Sequence, residues 1–181
     1  NVDAKDKYGR TALYMAADCG HNIIIQLLVD AKADIEAKDD FCRTPLHAAV
    51  PFDKAESVQL LVNAKADIDA QDDNGKTVLM ASLFYKSAVC ARVLVDARAN
   101  VHAVDKHGYS PLLSAARFHN SYFSRLLIDA NANVEVKEPR WGTTPLIMAV
   151  QAAARETAQL LIRAKANIEA TDNEGNTALI T

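Results

Sequence analysis

The chain has 181 residues, half of them hydrophobic, and a formal net charge of -3 from 20 basic and 23 acidic side chains. Nucleic-acid-binding domains usually carry a basic patch or stripe, so this balance disfavours a nucleic-acid partner. No apolar run approaches the roughly 18 residues that indicate a transmembrane helix, and no basic-then-apolar leader is visible. We therefore expect no membrane insertion.

One short pattern recurs along the whole chain. It begins at an acidic residue, passes through a turn and a hydroxyl residue, and ends at a leucine. Its copies are 6–13, 39–46, 72–79, 105–112, 138–146 and 172–179, so the period is 33 or 34 residues. A fixed period of this size is typical of a solenoid, in which each unit buries its apolar face against its neighbours. Such a stack presents a continuous surface rather than one enclosed pocket, which favours binding to other macromolecules.

The residues of the pattern carry a family resemblance. Residues 44–49 read Thr-Pro-Leu-His-Ala-Ala, which matches the Thr-Pro-Leu-His-x-Ala signature of ankyrin repeats. The segment at 27–35 also recurs once in each later repeat, from 60, 93, 126 and 160 onwards. The chain therefore resembles the ankyrin-repeat family over essentially its whole length. The resemblance implies an all-α fold, an ankyrin-repeat solenoid of helix-turn-helix units with short β-hairpin-like fingers.

The pattern also sets the repeat boundaries, and it predicts a single solenoid over residues 1–181. Residues 1–5 match 34–38, the closing segment of a repeat, while residues 172–181 begin a repeat and stop just inside its first helix. We interpret both ends as parts of incomplete repeats and expect the chain to be a segment of a longer protein. The repeats between them are 6–38, 39–71, 72–104, 105–137 and 138–171, the last with a one-residue insertion.

Each repeat is predicted to contain an inner and an outer helix. In the second repeat, a threonine-proline pair at 44–45 opens the inner helix as its cap and first residue, and Pro51 marks its end or a local distortion. In the first repeat, Ile24, Leu27 and Leu28 have the i, i+3, i+4 spacing of a buried helix face. The returning segments add one predicted core residue each: Ile35, Ile68, Val101, Val134 and Ile168.

The cysteines are Cys19, Cys42 and Cys90, an odd number without Cys-x-x-Cys spacing. They fall at different points of the repeat, so they encode neither a disulfide framework nor a metal site. We predict buried or half-buried thiols in a reducing compartment. This places the protein inside the cell, with the cytoplasm as the expected location.

No constellation of catalytic residues is recognisable. No histidine spacing matches a zinc motif, no Gly-x-Ser-x-Gly elbow surrounds a serine, and no phosphate-binding glycine loop is present. The acidic residues that open the fingers repeat with the fold, so turn stabilisation explains them. The family resemblance gives His47 a structural hydrogen-bonding role. The chain is predicted not to be an enzyme and to need no cofactor or metal.

The predicted partner-binding residues lie on the fingers, because in ankyrin-like stacks the fingers and inner helices line the concave face that usually meets a partner. They are Tyr8, Arg10, Phe41, Arg43, Lys76, His107, Tyr109, Arg140 and Trp141. Aromatic and arginine residues are enriched at binding hot spots. Arg10, Arg43 and Lys76 hold one position on three successive fingers, which favours an acidic patch on a protein partner. The inner-helix ends add Phe84, Tyr85, Arg117 and Phe118.

Other interpretations of these residues stay open. The finger charges can be simple solubilising charge, Phe84 and Phe118 can pack between repeats, and Trp141 can cover a gap made by the insertion. The leading hypothesis is a protein-interaction scaffold, including a subunit of a larger assembly. The alternative is a recognition or spacer segment of a larger enzyme or channel whose active domain lies outside this chain. Nucleic-acid binding is a weaker third hypothesis, which predicts a steep salt dependence.

Overall fold

The computed structural model describes residues 1–179, and ten α-helices lie within them. Inner and outer helices alternate along the chain, which confirms the predicted all-α class and the helix-turn-helix unit. The inner helices are α1 Ala12–Cys19, α3 Pro45–Ala49, α5 Val78–Tyr85, α7 Pro111–Arg117 and α9 Pro145–Gln151. The outer helices are α2 Asn22–Asp30, α4 Ala55–Asn63, α6 Ala88–Asp96, α8 Ser121–Asp129 and α10 Arg155–Arg163. A 3₁₀ turn at Pro51–Asp53 follows α3, so the inner helix ends before Pro51, at the place predicted for its end or a local distortion.

The hydroxyl residue of each of the first five copies of the pattern is the N-cap of an inner helix. The Oγ1 of Thr11 accepts the N–H of Tyr14 at 3.2 Å, and the Oγ of Ser110 accepts the N–H of Leu113 at the same distance. Proline holds the first position of α3, α7 and α9, where the backbone lacks a helical acceptor for an N–H in any case. The recurring hydroxyl therefore fixes where each inner helix begins.

The helices form two compact units, Asn1–Ala99 and Asn100–Thr181. In the first unit, α1 packs against α2 and α3, α3 against α4 and α5, and the outer helices α2, α4 and α6 pack in chain order. In the second unit, α7 packs against α8 and α9, and α10 against α8 and α9. Each helix pair thus buries its apolar side against the next pair of the same unit, as the repeat pattern predicts.

The outer helix of the first repeat is less buried than predicted. Ile25 is fully buried, whereas Ile24 is 46% exposed and Leu27 is 62% exposed, so the predicted buried face of α2 is wrong for these two residues. Leu28 is half-buried. The position of Ile24 is buried in all four later outer helices, where it is held by Ser57, Cys90, Phe123 and Thr157. Because α2 packs against α1 and the following outer helix α4, its opposite side, which carries Ile24, is left exposed.

The returning segments are also less buried than predicted. Of the five apolar residues there, Val101 alone is buried, Ile35, Ile68 and Val134 are half-buried, and Ile168 is exposed. In four of the five returning segments, the alanine two positions before this apolar residue is buried: Ala33, Ala99, Ala132 and Ala166. The small side chain lets the return pass close to the helices, so the larger neighbour is left at the surface.

The acidic residue that opens each finger closes the turn with its carboxylate. The Oδ1 of Asp6 accepts the N–H groups of the second and fourth residues after it, at 2.8 and 3.0 Å. The same two bonds are made by Asp39, Asp72, Asp105 and Asp172. In the finger with the inserted residue, the longer side chain of Glu138 accepts from Arg140 and Trp141 instead. The prediction that these carboxylates stabilise turns is confirmed.

The cysteine prediction is wrong for two of the three thiols. Cys90 is buried, but Cys19 and Cys42 are exposed. Cys19 is the last residue of α1, beyond the part of the helix that enters the core. Cys42 lies at the finger turn with φ of 59°, the position that glycine fills in the other fingers, and this turn projects into solvent.

None of the helices within residues 1–179 is both long and apolar enough to cross a membrane.

Candidate protein-binding surface

The predicted finger residues lie at the surface, where cations and aromatic rings pair within a finger. Tyr8, Phe41 and Trp141 are about half-exposed. The guanidinium carbon of Arg10 lies 4.8 Å from the ring centre of Tyr8, and that of Arg43 lies 5.0 Å from Phe41. Arg140 stands 4.9 Å from the ring centre of Trp141 in the same way. Such contacts orient both side chains and leave the rest of the ring available to a partner.

Two cations of the predicted basic row are engaged within their own fingers. Arg10 donates from Nε and Nη2 to Oδ2 of Asp6 at 2.9 and 2.7 Å, and Arg43 makes the same pair of contacts with Asp39 at 2.8 and 2.7 Å. The Arg10 hydrogen bond holds the pKa of Asp6 at about 2. Burial would raise the pKa of Asp39, but the bonds from Arg43 keep it below its ordinary value. The positive charge of this row is therefore partly balanced locally.

The first unit contains a groove of about 380 Å³ beside its fingers. Its side chains are aromatic, basic and acidic: Tyr14, Phe41, Phe84, Tyr85, Arg43, Lys76, Asp18, Asp72 and Asp73. Phe84 is 65% exposed and meets Tyr85 edge-to-face at 5.2 Å, with the ammonium of Lys76 at 5.5 Å from its ring centre. Phe84 and Phe118 thus face solvent rather than packing between repeats.

The second unit contains its own groove, of about 490 Å³. Trp141 and Tyr109 form its aromatic part, and the acidic residues along it are Glu138, Asp172 and Glu174. Arg117, the last residue of α7, donates from Nη1 to the hydroxyl of Tyr109 at 2.9 Å, with its guanidinium 5.4 Å from the ring centre. The half-exposed Trp141 therefore borders an open groove.

The grooves bring together some of the predicted residues and leave others outside. Phe41, Arg43 and Lys76 line the first groove, and Tyr109 and Trp141 line the second. The remaining predicted residues, Tyr8, Arg10, His107 and Arg140, line neither.

The sequence singled out two members of one further groove position, Phe84 and Arg117, without recognising that the position recurs. Seven residues after each capping hydroxyl, at the end of the inner helix or up to two residues beyond it, lie Asp18, Pro51, Phe84, Arg117 and Gln151, and all five line a groove. Aligning the repeats by their capping hydroxyls provides the signal, because these residues share one offset and differ in chemistry in every repeat.

The described residues offer little reactive chemistry. Within residues 1–179, no group of three or more His, Cys, Asp or Glu side chains is arranged to hold a metal ion. Burial, together with the neighbouring Asp53, raises the pKa of the Cys90 thiol to about 12, so this thiol stays protonated and is a poor nucleophile.

His47 has the structural role that the family resemblance implied. It is buried, its Nδ1 accepts the backbone N–H of Thr44 at 3.3 Å, and its Nε2 lies 3.4 Å from the carbonyl oxygen of Lys76. These contacts suit the neutral imidazole that carries its proton on Nε2. Burial lowers the pKa of His47 below its ordinary value of 6.5, because the charged ring loses its hydration.

This burial predicts a loss of stability in mild acid. Above pH 6.5 the ring is neutral in both states, and as the pH falls below that value the unfolded chain gains a proton that the folded chain resists. We expect the thermal midpoint to fall between pH 7.5 and 5.5, and to fall less in His47→Gln, whose amide keeps the contact with Thr44 but cannot titrate. Calorimetry at both values checks this, and an equal fall in both proteins would contradict it.

Comparisons with known proteins place this arrangement in a family. The family described as ankyrin repeats in three copies matches residues 1–72 and 46–138, and that described as the single ankyrin repeat matches residues 141–173. None of the curated proteins matches the sequence. Among solved structures, the ankyrin repeat domain of Bcl-3, described as a unique member of the IkappaB protein family, aligns with a TM-score of 0.93 and 24% sequence identity. The alignment covers 99% of this chain and 81% of that one, and at this identity it shows the fold alone.

Ankyrin repeats are in general protein–protein interaction modules, and their fold is that of non-catalytic interaction domains. The family matches cover nearly the whole chain, and they agree with its capped inner helices, its fingers and its two-helix repeats. The protein belongs to the ankyrin-repeat family.

Proposed function

We propose that this chain is a protein-interaction module in which each unit offers a groove, formed by fingers and inner-helix ends, to a protein partner. The observation that carries the proposal is the variable position at the inner-helix end. Its five residues are all different and all line a groove, while leucine is kept at the core position that follows each helix cap by two residues. Change at one exposed position of a constant frame is how a repeat protein acquires a specific binding surface.

The side chains at the grooves suit recognition of a protein. Trp141 and Phe84 are large aromatic groups that stand half or more exposed. Such residues supply most of the energy at protein interfaces once they are covered. The cations that lie over their rings, Arg140 and Lys76, hold the rings in place before binding and so lower the ordering cost of association.

We further infer an intracellular, reducing location. Cys19 and Cys42 are exposed free thiols, and Cys90 is a buried one. Exposed thiols persist where glutathione and thioredoxin keep them reduced.

The experiment compares the proteins captured from an extract of the source cells by the unchanged chain and by a double variant. The chain with Arg140→Ala and Trp141→Ala is expected to lose a partner that the unchanged chain retains, as measured by quantitative mass spectrometry. Against the purified partner, we expect the affinity to fall about 30-fold, the loss that corresponds to a hot spot of 2 kcal/mol.

A matched control removes the same chemistry from an outer helix. Tyr122→Ala with Arg125→Ala deletes an aromatic ring and an arginine from α8, away from the groove that Trp141 borders. This control is expected to keep the partner. An equal loss in both variants, or an unchanged affinity after the loss of Trp141, would contradict the proposed surface.

A further inference from the structure

We propose that the groove of the second unit binds a basic segment of the partner, with a lysine or arginine side chain placed between Trp141 and Glu174. This inference rests on the proposed function and names the chemistry of the partner. A basic partner segment is opposite in charge to the acidic patch that the row of finger cations favours.

The lining of the groove carries a surplus of negative charge. Its side chains carry one cation, Arg117, and three carboxylates, Glu138, Asp172 and Glu174. The formal charge of the lining is therefore +1 - 3 = -2. A groove with this surplus attracts cations and repels anions, and the groove walls concentrate the field.

The three carboxylates differ in the hydrogen bonds that they already accept. Glu138 is 2% exposed and accepts two backbone N–H groups, so it is part of the finger turn. Asp172 accepts the backbone N–H groups of Glu174 and Asn176 in the same manner. Glu174 is exposed, and its carboxylate accepts a long contact of 3.4 Å from Nδ2 of Asn176. Glu174 is therefore the carboxylate with most of its acceptor capacity left for a partner.

Two cations oppose a basic ligand. Arg140 lies outside the groove lining, with its guanidinium 4.9 Å from the ring centre of Trp141, so it leaves only the rest of that ring to a ligand. The guanidinium of Arg117 is turned to Tyr109, where it donates a hydrogen bond to the hydroxyl and lies against the ring. This contact holds the cation against one aromatic wall of the groove. Trp141 is the other aromatic side chain there, and the methylene stem of a lysine or arginine can cover its exposed part.

The groove of the first unit also carries more negative than positive side chains. Its groove is lined by three aspartates, Asp18, Asp72 and Asp73, against Arg43 and Lys76. Arg43 is also paired with Asp39 of its own finger. The whole chain has a formal charge of -3, so its long-range field also favours a basic partner.

Trp141 supplies the readout, because it is the single tryptophan of the chain and borders the groove. The probes are two blocked twelve-residue peptides, one alternating Lys and Ala and the other with Glu in place of every Lys. The Lys peptide is expected to change the emission of Trp141 saturably and to weaken in binding as sodium chloride is added. The Glu peptide is expected to leave the emission unchanged.

Variants that remove one charged side chain from the groove test whether it prefers a basic peptide. Glu174→Gln is expected to weaken binding of the Lys peptide about two- to five-fold, and Arg117→Gln to tighten it by a similar factor, as for exposed ion pairs. The opposite signs, binding of the Glu peptide, or no response to either peptide would overturn the inference. Loss of the captured partner in the Trp141 variant tests the proposed function separately, so that function can stand while this charge assignment fails.

Discussion

Replacing Ile25 with alanine is expected to lower the free energy of unfolding by about 2–5 kcal/mol, the range for truncating a fully buried isoleucine. Ile25 is 0% exposed and is the buried residue of α2, so its loss opens a cavity in the first unit that the neighbouring helices fill only in part. Urea unfolding followed by far-UV circular dichroism measures the change, with the m-value as a check that the same surface unfolds.

The adjacent residue provides the matched control. Ile24→Ala makes the same change on the same helix, so the gain in helix propensity is equal and cancels in the comparison. Because Ile24 is nearly half exposed, we expect a loss of about 1 kcal/mol or less. Equal losses in the two variants would contradict the difference in burial between Ile25 and Ile24.

Replacing Gly108 with alanine is expected to cost about 2–5 kcal/mol, from two causes that add. The backbone has φ of 77°, a left-handed conformation that an L-residue adopts at a cost of about 1–2 kcal/mol. The new Cβ would also fall against Cγ and Cδ of Pro139, inside van der Waals contact. The ring of Pro139 cannot rotate away as a flexible chain would, so the finger itself has to move.

Gly175→Ala separates these two causes. Gly175 has φ of 84°, but an added Cβ there meets nothing within 4 Å. We expect it to cost only the backbone contribution of about 1–2 kcal/mol. Thermal and urea unfolding of both variants give the difference, which measures the clash with Pro139. If Gly175→Ala is as damaging as Gly108→Ala, the close approach of the two fingers in the second unit does not contribute.

The two stability predictions concern a core position and a finger turn, whereas the binding predictions concern exposed positions that vary between repeats. In every repeat, a leucine at the start of the inner helix is buried in the core, and a carboxylate of the finger accepts backbone N–H groups of the turn. The residues at the inner-helix ends differ from repeat to repeat and line the grooves. Variants at Trp141, Arg117 or Glu174 should therefore change binding with little change in the unfolding free energy.

The sequence by itself determined the fold and the role of the repeated residues. The capping hydroxyls, the prolines after them and the finger aspartates act within a few residues along the chain. Their hydrogen bonds are local, and the spacing of residue types is enough to predict them. The structural role of His47 was implied by the family resemblance, and its contact with Thr44 is equally local, since it spans three residues.

Only the tertiary structure decided which side chains are buried and which charges are free. The burial of each face of α2 depends on the helices packed against it, so the apolar spacing cannot reveal that Ile25 is covered while Ile24 is left exposed. The pairing of Arg10 with Asp6, and the turning of Arg117 towards Tyr109, depend on side-chain directions that the finger backbone sets. The sign of the charge in each groove is a sum over residues from several repeats, and that sum exists only after they have folded together.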